Sequence, residues 1–489
     1  MRLKIKKLSL GAGRPIAFLH QDTAKSLNIH IGERVEILSM RQKVIAMVDV
    51  VRAMVRKGEI AISDEITEYL KVGPGEYVEV RLALEPRSTR YITKKLSGQS
   101  LSREEISSIV SDIVNNALTE AEIAYFVSGV YENGMSMKET LYLTEAMYKT
   151  GTSMKWKEKF VADKHSIGGV AGNRTTPIVI SICASAGIIM PKTSSRAITS
   201  AAGTADVIET LARVDFSPSE LKKLVKKTGA CIAWGGSLGL APADDKLIRV
   251  ERLLSLDPES QLIASIMAKK LAVGCKYVVI DIPYGPKAKV SKKAALVLKK
   301  RFLQVAKHFN LKMKVVLTDG SQPIGNGIGP VLEMLDVLRV LRRENSPKDL
   351  ENKSVFVAGE ILELTGKAKK GNGVKMAKHI LDCGYAYKKF EEILKAQGKH
   401  PDGLKLAKFN YKIKAEKSGI VKDIDNKAVN YLGRILGCPV DKGAGIYLHK
   451  HRNDSVKSGE ALLTLYSESR MKLKEAINFV KESNIIVIG

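Results

Sequence analysis

The chain has 489 residues, 45% hydrophobic and 27% charged, with a formal net charge of +27. That length exceeds what one core supports, so about three domains are expected, and no apolar run is long enough for a membrane span. The charge favours anionic partners without choosing among them. Aromatics do not interleave with the lysines of Lys222 to Lys227 or Lys292 to Lys307, so solvated helix faces are expected there, with neither nucleic acid nor membrane as partner.

The opening MRLKIKKLSL is too short and too charged for a signal peptide, which points to a cytoplasmic protein. Cys183, Cys231, Cys275, Cys383 and Cys438 form no CxxC pair, and reduced thiols are expected. The histidines, including His449 and His451 on a predicted strand, lack metal-ligand spacing, so no metal or organic cofactor is implied.

In chain order, the run Leu27 to Ile37, with Gly32-Glu33 at its centre, returns as Leu70 to Val80 around Gly75-Glu76. Each copy reads as the end of a short helix, a turn and an alternating strand. Residues 1–84 are therefore expected to form a small, pseudo-symmetric β-barrel that serves assembly into a homodimer or larger homo-oligomer.

Helices follow over Ser102 to Asn116, Thr119 to Asn133 and Ser136 to Lys149, the first opened by a capping box of Ser102 and Glu105. Residues 85–158 are read as a helical domain. Strand and helix then alternate from Lys159 to about Gly366, with apolar runs at Tyr277 to Ile282 and Met313 to Thr318, as in a parallel sheet. Residues 159–411 are read as an α/β phosphate-binding domain, from which a segment near 251–275 returns to the helical domain. Short β segments near Gly419 and Gly445 mark residues 412–489 as a C-terminal α+β domain.

The segment Val161 to Glu209 concentrates Gly, Ser, Thr, Lys, Arg and His at two strand-to-helix junctions. The first runs from strand Lys159 to Ala162 through Asp163–Gly169 into helix Thr176 to Gly187. The second runs from strand Ile188 to Pro191 through loop Lys192 to Thr199 into a helix opened by Gly203-Thr204-Ala205-Asp206. Such junctions present unpaired N–H groups at the carboxyl ends of strands and suit phosphate. GGVAGNRT, from Gly168 to Thr175, departs from the nucleoside-triphosphatase loop, with Asn173 in place of Gly and Arg174 in place of Lys.

DKHSIGG followed by SSRAITSAAGTADVIE closely resembles the paired motifs KHSTGG and SGRxxxxTGGTxDxxE of the thymidine and pyrimidine-nucleoside phosphorylase family. The resemblance spans most of Leu96 to Ser467. This chain has Ser195 where that family has Gly, and Val250 stands at the pyrimidine-reading Arg position, with Arg249 and Arg252 out of register. These departures and the extra N-terminal segment resemble the archaeal AMP phosphorylase branch. The resemblance implies phosphorolysis of a nucleoside 5′-monophosphate such as AMP, with inorganic phosphate as co-substrate, in a cleft between the helical and α/β domains.

By the same resemblance, Lys164, Ser166, Thr175, Ser194 and Thr204 match positions that bind inorganic phosphate. Gly169, Ser195, Arg196, Ala197, Ile198, Thr199, Ser200, Thr204, Ser265 and Lys289 match the nucleotide site. Arg196 has two readings, a grip on the 5′-phosphate or a brace for its loop. Asp257-Pro258 is in isolation a helix start; the resemblance makes Asp257 the general acid toward the leaving base, a role that burial of the carboxyl would favour. Lys269, one turn after Ser265, has a base contact and a structural ion pair as equal readings, and Lys289 has a solvated loop lysine as its alternative. The rival functions are a pyrimidine nucleoside (thymidine) phosphorylase and, from another class, a nucleic-acid-binding protein.

Overall fold

Alternation of apolar and polar residues at the N-terminus turns into strands with one face inward: Leu3 and Ile5 are buried between exposed neighbours in β1 (Arg2–Lys6). The computed structural model describes all residues except Lys7, Arg41, Thr199, Pro401 and Asp402. The chain divides into two compact units, Met1–Gly151 with Ala241–Ser265, and Thr152–Leu240 with Ile266–Gly489.

In the first unit, β1 is followed by β2 (Ile16–His20), α1 (Gln21–Leu27), β3 (Arg34–Leu38), β4 (Lys43–Val51), β5 (Glu59–Ile62), α2 (Asp64–Leu70) and β6 (Tyr77–Leu82). The strands close into a barrel in the order β1-β5-β2-β4-β3-β6. The internal repeat is visible in the backbone. Helices α1 and α2 end on Asn28 (φ 52°) and Lys71 (φ 53°), both left-handed, and the turns that follow use Gly32 (φ 84°) and Gly75 (φ 88°). Val35, Ile37, Val78 and Val80 from the two copies share one core, where each such side chain contributes about 1.5–3 kcal/mol on burial.

The bundle comprises α3 (Ser88–Leu96), α4 (Arg103–Val114), α5 (Glu120–Asn133) and α6 (Met137–Lys149). Ser102, Thr119 and Ser136 each cap a helix reciprocally with the Glu three residues on, a feature worth about 1 kcal/mol per cap. The helix Pro242–Leu254 also belongs to this unit. Its Lys246 Nζ donates to Ile113 O and Val114 O at 2.8 Å each, joining this helix to the carbonyl end of α4.

The second unit begins with β7 (Ala162–Ser166), α7 (Thr175–Ser185), β8 (Met190–Ser194), α8 (Thr204–Ile208), α9 (Pro218–Thr228) and β9 (Ala230–Trp234). After Pro242–Leu254, numbered α10, come α11 (Glu259–Val273), β10 (Tyr277–Tyr284), α12 (Lys292–His308) and β11 (Lys312–Asp319). Strands β11, β10 and β7 pair in parallel, as do β8 and β9, with a Val161–Ile189 bridge between the two sets. β10 is buried almost throughout, as a sheet covered on both faces requires, and α7 is apolar on every side and buried nearly end to end. The lysine-rich faces of α9 and α12 are solvated.

Both junction strands run farther than the sequence predicts. β7 extends to Ser166 and β8 to Ser194, because Asp163, Lys164 and Lys192, which read as loop residues, are buried and paired within the sheet layer. Strand–helix alternation also ends earlier than expected. Beyond β11 and the short β12 (Gly327–Ile328), the helices α13 (Pro330–Arg342), α14 (Lys348–Leu364), α15 (Gly373–Asp382) and α16 (Tyr385–Ala396) follow one another, and they pack into the α/β core around α7.

The C-terminal region holds β13 (Phe409–Lys414), β14 (Gly419–Ile424), α17 (Asn426–Leu436), β15 (Gly445–Leu448), β16 (Ser455–Val456), β17 (Ala461–Ser467), α18 (Arg470–Glu482) and β18 (Ile486–Ile488). Its sheet β12-β15-β17-β13 takes in β12 from the α/β region. Among the described residues, no helix is long and apolar enough to cross a membrane. Cys183, Cys231, Cys275 and Cys438 are buried and unbonded, and Cys383 is exposed.

Candidate active site

Asp163 is what lets a strand carry charge into the core. Its Oδ2 accepts from Lys270 Nζ at 2.5 Å, its Oδ1 accepts from the Lys164 N–H at 2.7 Å, and Lys192 Nζ lies 3.2 Å from Oδ1. Burial alone would raise Asp163, but the charges of Lys192 and Lys270 outweigh it and hold the carboxyl below its ordinary value. Lys192 also donates to Lys164 O at 3.0 Å, tying the ends of β7 and β8 together. Sequence reasoning passed over Asp163, Lys192 and Lys270, whose pairing spans up to 107 positions.

Lys164 is 2% exposed, and its Nζ donates to Thr175 Oγ1, at the start of α7, at 2.6 Å. Burial lowers its pKa to about 7 against the opposing pull of Asp281. His165, between these lysines, is pushed well below its usual range by burial and by Lys270, Lys192, Lys269 and Lys164, so its ring is neutral. The buried hydroxyls of Ser166 and Ser194 have no partner among the described residues. Leaving a buried hydroxyl unpaired costs about 1–3 kcal/mol, and an anion supplies the acceptors that these donors lack.

Thr204 opens α8, and its Oγ1 accepts from Arg174 Nη1 at 2.6 Å. The same guanidinium donates to Ala202 O at 2.8 Å and to Glu333 Oε2 at 2.7 Å. Arg174 therefore fixes the Thr204 hydroxyl rather than standing in for the lysine of a triphosphatase loop. Glu333, its distant partner, is raised by burial to about 7 despite Arg174.

The loop after β8 folds back on α8. Gly203 permits this, since a Cβ there would lie 2.5 Å from Arg196 C and Ser195 O. Asp206 Oδ2 accepts from the Ala197 N–H at 2.7 Å and the Gly203 N–H at 2.9 Å. Arg196 binds Glu209 at 2.6 and 2.8 Å, reaches Asp206 at 3.3 Å and Asp215 at 3.4 Å, and stacks on Trp234 at 4.9 Å. Its guanidinium is committed to carboxylates, which is the bracing geometry. Ser195 is exposed, whereas Ala197, Ile198 and Ser200 are partly buried, and Ser200 Oγ donates to Ala202 O at 3.0 Å. Thr199 lies outside the described residues.

Gly168 and Gly169 both take φ 86°. A Cβ on Gly169 would lie 2.6 Å from Lys289 Cβ, so this glycine brings Lys289 against the loop after β7. Ser265 and Lys269, one turn apart on α11, are partly buried. Asp257 precedes α11 and is exposed within its own unit, in contrast to the burial that the sequence reading invoked for an acid. Asp257 and Ser265 belong to the first unit; Lys269, Lys289 and the residues at β7 and β8 belong to the second. No cluster of His, Cys, Asp or Glu suited to a metal occurs among the described residues.

Comparison with known proteins identifies the family. Residues 89–151 match the model of the glycosyl transferase family helical bundle domain, 158–387 that of the glycosyl transferase family a/b domain, and 420–487 that of the pyrimidine nucleoside phosphorylase C-terminal domain. The chain is 44% identical to an AMP phosphorylase of Pyrococcus furiosus and 42% to one of Thermococcus sibiricus, each over 98% of this chain and 96% of the relative. It is 40% identical to AMP phosphorylase 1 of Archaeoglobus fulgidus, over 100% of this chain and 98% of the relative. The chain belongs to the AMP phosphorylase family. The fold also matches an anthranilate phosphoribosyltransferase from Thermus thermophilus with a TM-score of 0.53 at 17% identity, over 63% of this chain and 98% of that one. Family membership makes the chain a pentosyl-transferring phosphorylase.

Proposed function

We propose that the chain cleaves nucleoside 5′-monophosphates with inorganic phosphate, converting AMP and phosphate to adenine and ribose 1,5-bisphosphate. The observation that carries this reading is the pair of buried hydroxyls of Ser166 and Ser194, without partners among the described residues, near the buried Lys164, in a chain related over 98% of its length to AMP phosphorylases. In the reaction a phosphate oxygen bonds to the anomeric carbon as the bond from that carbon to the base breaks. Charge develops on the sugar, and the leaving base takes a proton.

Lys164, Ser166, Thr175, Ser194 and Thr204 hold the phosphate nucleophile by charge-assisted hydrogen bonds, each worth about 1.5–3 kcal/mol. Gly169, Ser195, Ala197, Ile198, Thr199, Ser200 and Lys289 hold the nucleotide, with Arg196 bracing their loop. Ser265 and Lys269 face the base. Asp257 gives its proton to the departing base and regains one from solvent, and in this reading ligand binding supplies the desolvation that its exposed carboxyl lacks in the free chain. The reading keeps the expected division into an N-terminal module, helical, α/β and C-terminal domains, with the reaction in a cleft between the helical and α/β domains, and assigns the enzyme to the cytoplasm as a homo-oligomer.

The test is a phosphorolysis assay that follows base release from AMP, CMP, UMP, adenosine and thymidine with and without inorganic phosphate. Phosphate-dependent release from AMP, with little from adenosine or thymidine, is the expected result. Release from thymidine in preference to AMP would replace this reading with a pyrimidine nucleoside phosphorylase.

A further inference from the structure

We propose that α17 sets the spacing of the anion-binding loops, with Asn426 a positioning residue for inorganic phosphate and Asn430 one for the nucleotide. This inference rests on the phosphorolysis reading above. Asn426 is fully buried. Its Oδ1 accepts from the Ala171 N–H at 3.0 Å, and its Nδ2 donates to Gly320 O at 3.0 Å. Ala171 lies between Gly169 and Thr175, and Gly320 directly follows β11.

One turn along the same face, Asn430 Oδ1 accepts from the Ala201 N–H at 3.1 Å, while its Nδ2 is fixed on Asn426 O at 3.0 Å. Ala201 lies between Ser200 and Thr204. Gly433, a further turn away, lets the helix approach that loop closely, since a Cβ there would lie 2.7 Å from Ala201 Cβ. At the start of the helix the Asp425 side chain caps Lys427 N and Ala428 N, and it accepts from Lys287 Nζ at 2.9 Å in the loop that carries Lys289.

The loops that follow β7, β8, β10 and β11 are thus all tied to one helix. The neighbouring face of that helix, Val429, Leu432 and Leu436, is anchored in the C-terminal core. A loop N–H withdrawn from water needs a partner, and a partner on a rigid helix fixes where the neighbouring ligand groups stand. None of these α17 residues has a role in the proposed chemistry, so their effect runs through Ala171 and Ala201.

The experiment measures KM for phosphate and for AMP, kcat and Tm in wild type, Asn426→Ala, Asn430→Ala, Asn430→Asp and Gly433→Ala. Asn426→Ala should raise KM for phosphate about tenfold and Asn430→Ala should raise KM for AMP about tenfold, as expected for loss of one buried hydrogen bond to a ligand loop. Asn430→Asp keeps the acceptor for Ala201 and should restore most of the AMP affinity. Gly433→Ala presses a Cβ onto Ala201 in the core, so it should lower Tm modestly and raise KM for AMP several-fold while KM for phosphate stays near wild type, a split between the two ligands that a purely structural role does not produce. The proposal is overturned if wild type cleaves AMP and the Asn430→Ala and Gly433→Ala variants, folded by Tm, keep wild-type KM values. A wild type inert toward AMP would instead defeat the phosphorolysis reading, and calorimetric titration of the same variants with phosphate and with AMP then decides the positioning claim by itself.

Discussion

Lys164 is a cation near the limit of what burial allows. Desolvation lowers it to about 7 and Lys192 to about 8, with Asp281 and Asp163 respectively pulling them back up. A bound phosphate dianion favours the charged ammonium, so binding raises the lysine pKa. At about pH 8 the free protein therefore holds Lys164 mostly neutral and takes up protons on binding phosphate, whereas at about pH 6 the lysine is already charged and contributes no uptake. Calorimetry in buffers of different ionisation enthalpy measures this uptake. Lys164→Met should remove most of it at the higher pH, and an unchanged value would move the titrating charge to Lys192. Asp257 calls for a different measurement. Asp257→Asn keeps the shape of the turn but has no proton to give, so kcat for AMP should fall about 100-fold or more with phosphate binding intact. Near-normal turnover would remove Asp257 from the mechanism.

At the scale of elements, the loop after β7 depends on a close approach. Gly168 and Gly169 share the same left-handed backbone, but only Gly169 meets another element, the Lys289 backbone and Cβ. Gly168→Ala therefore adds backbone strain alone, whereas Gly169→Ala also displaces Lys289, and its KM for AMP should rise several-fold more than in Gly168→Ala. Equal effects in the two variants would detach Lys289 from the nucleotide. The loop after β8 offers a parallel test. Glu209 is held down to about 2 by its bonds to Arg196, with Lys442 adding to them. If Arg196 acts as a brace, Glu209→Gln should reproduce most of the loss in AMP affinity caused by Arg196→Ala. An undamaged Glu209→Gln would return Arg196 to the role of a phosphate ligand. These loops also mark what could be read from the chain alone. The capping boxes at Ser102, Thr119 and Ser136 and the repeated turns at Gly32 and Gly75 are local, so their residue types suffice to place them. The ends of β7 and β8 were misplaced because Asp163, Lys164 and Lys192 look solvated until their partners are known. Arg174 with Glu333, and Asn426 with Ala171, join positions 159 and 255 residues apart, and no local pattern announces such pairs. Lys164, Ser166 and Ser194 stand out in the chain only through their resemblance to family motifs, and to this the structure adds hydroxyls on two of them that lack a partner among the described residues.

At the scale of the whole molecule, the N-terminal barrel is a folded module remote in sequence from every proposed catalytic residue. Its own core is complete, with Leu3, Leu19, Ile37, Ile60 and Val80 fully buried, so barrel folding does not require the apolar groups left outside. Those groups are conspicuous: Leu84 is 87% exposed and Ile31 69% exposed, with Tyr69 and Tyr77 also outward. Large apolar side chains left exposed on a folded module favour contact with another chain, and a second copy is the proposed partner. Within its unit the barrel is tied to the bundle by Arg34, whose Nε donates to Ala117 O at 2.7 Å and whose guanidinium pairs with Glu122. Removing residues Met1 to Leu84 uncovers those groups, so the deletion alone would mix two effects. Ile31→Asp and Leu84→Asp in the full chain leave Arg34 in place and change only the exposed surface. By light scattering, both substitutions and the deletion should yield a smaller assembly than wild type, and AMP cleavage should persist in the substituted chains. If the substituted chains keep the wild-type mass, the apolar surface of the barrel is not the assembly contact.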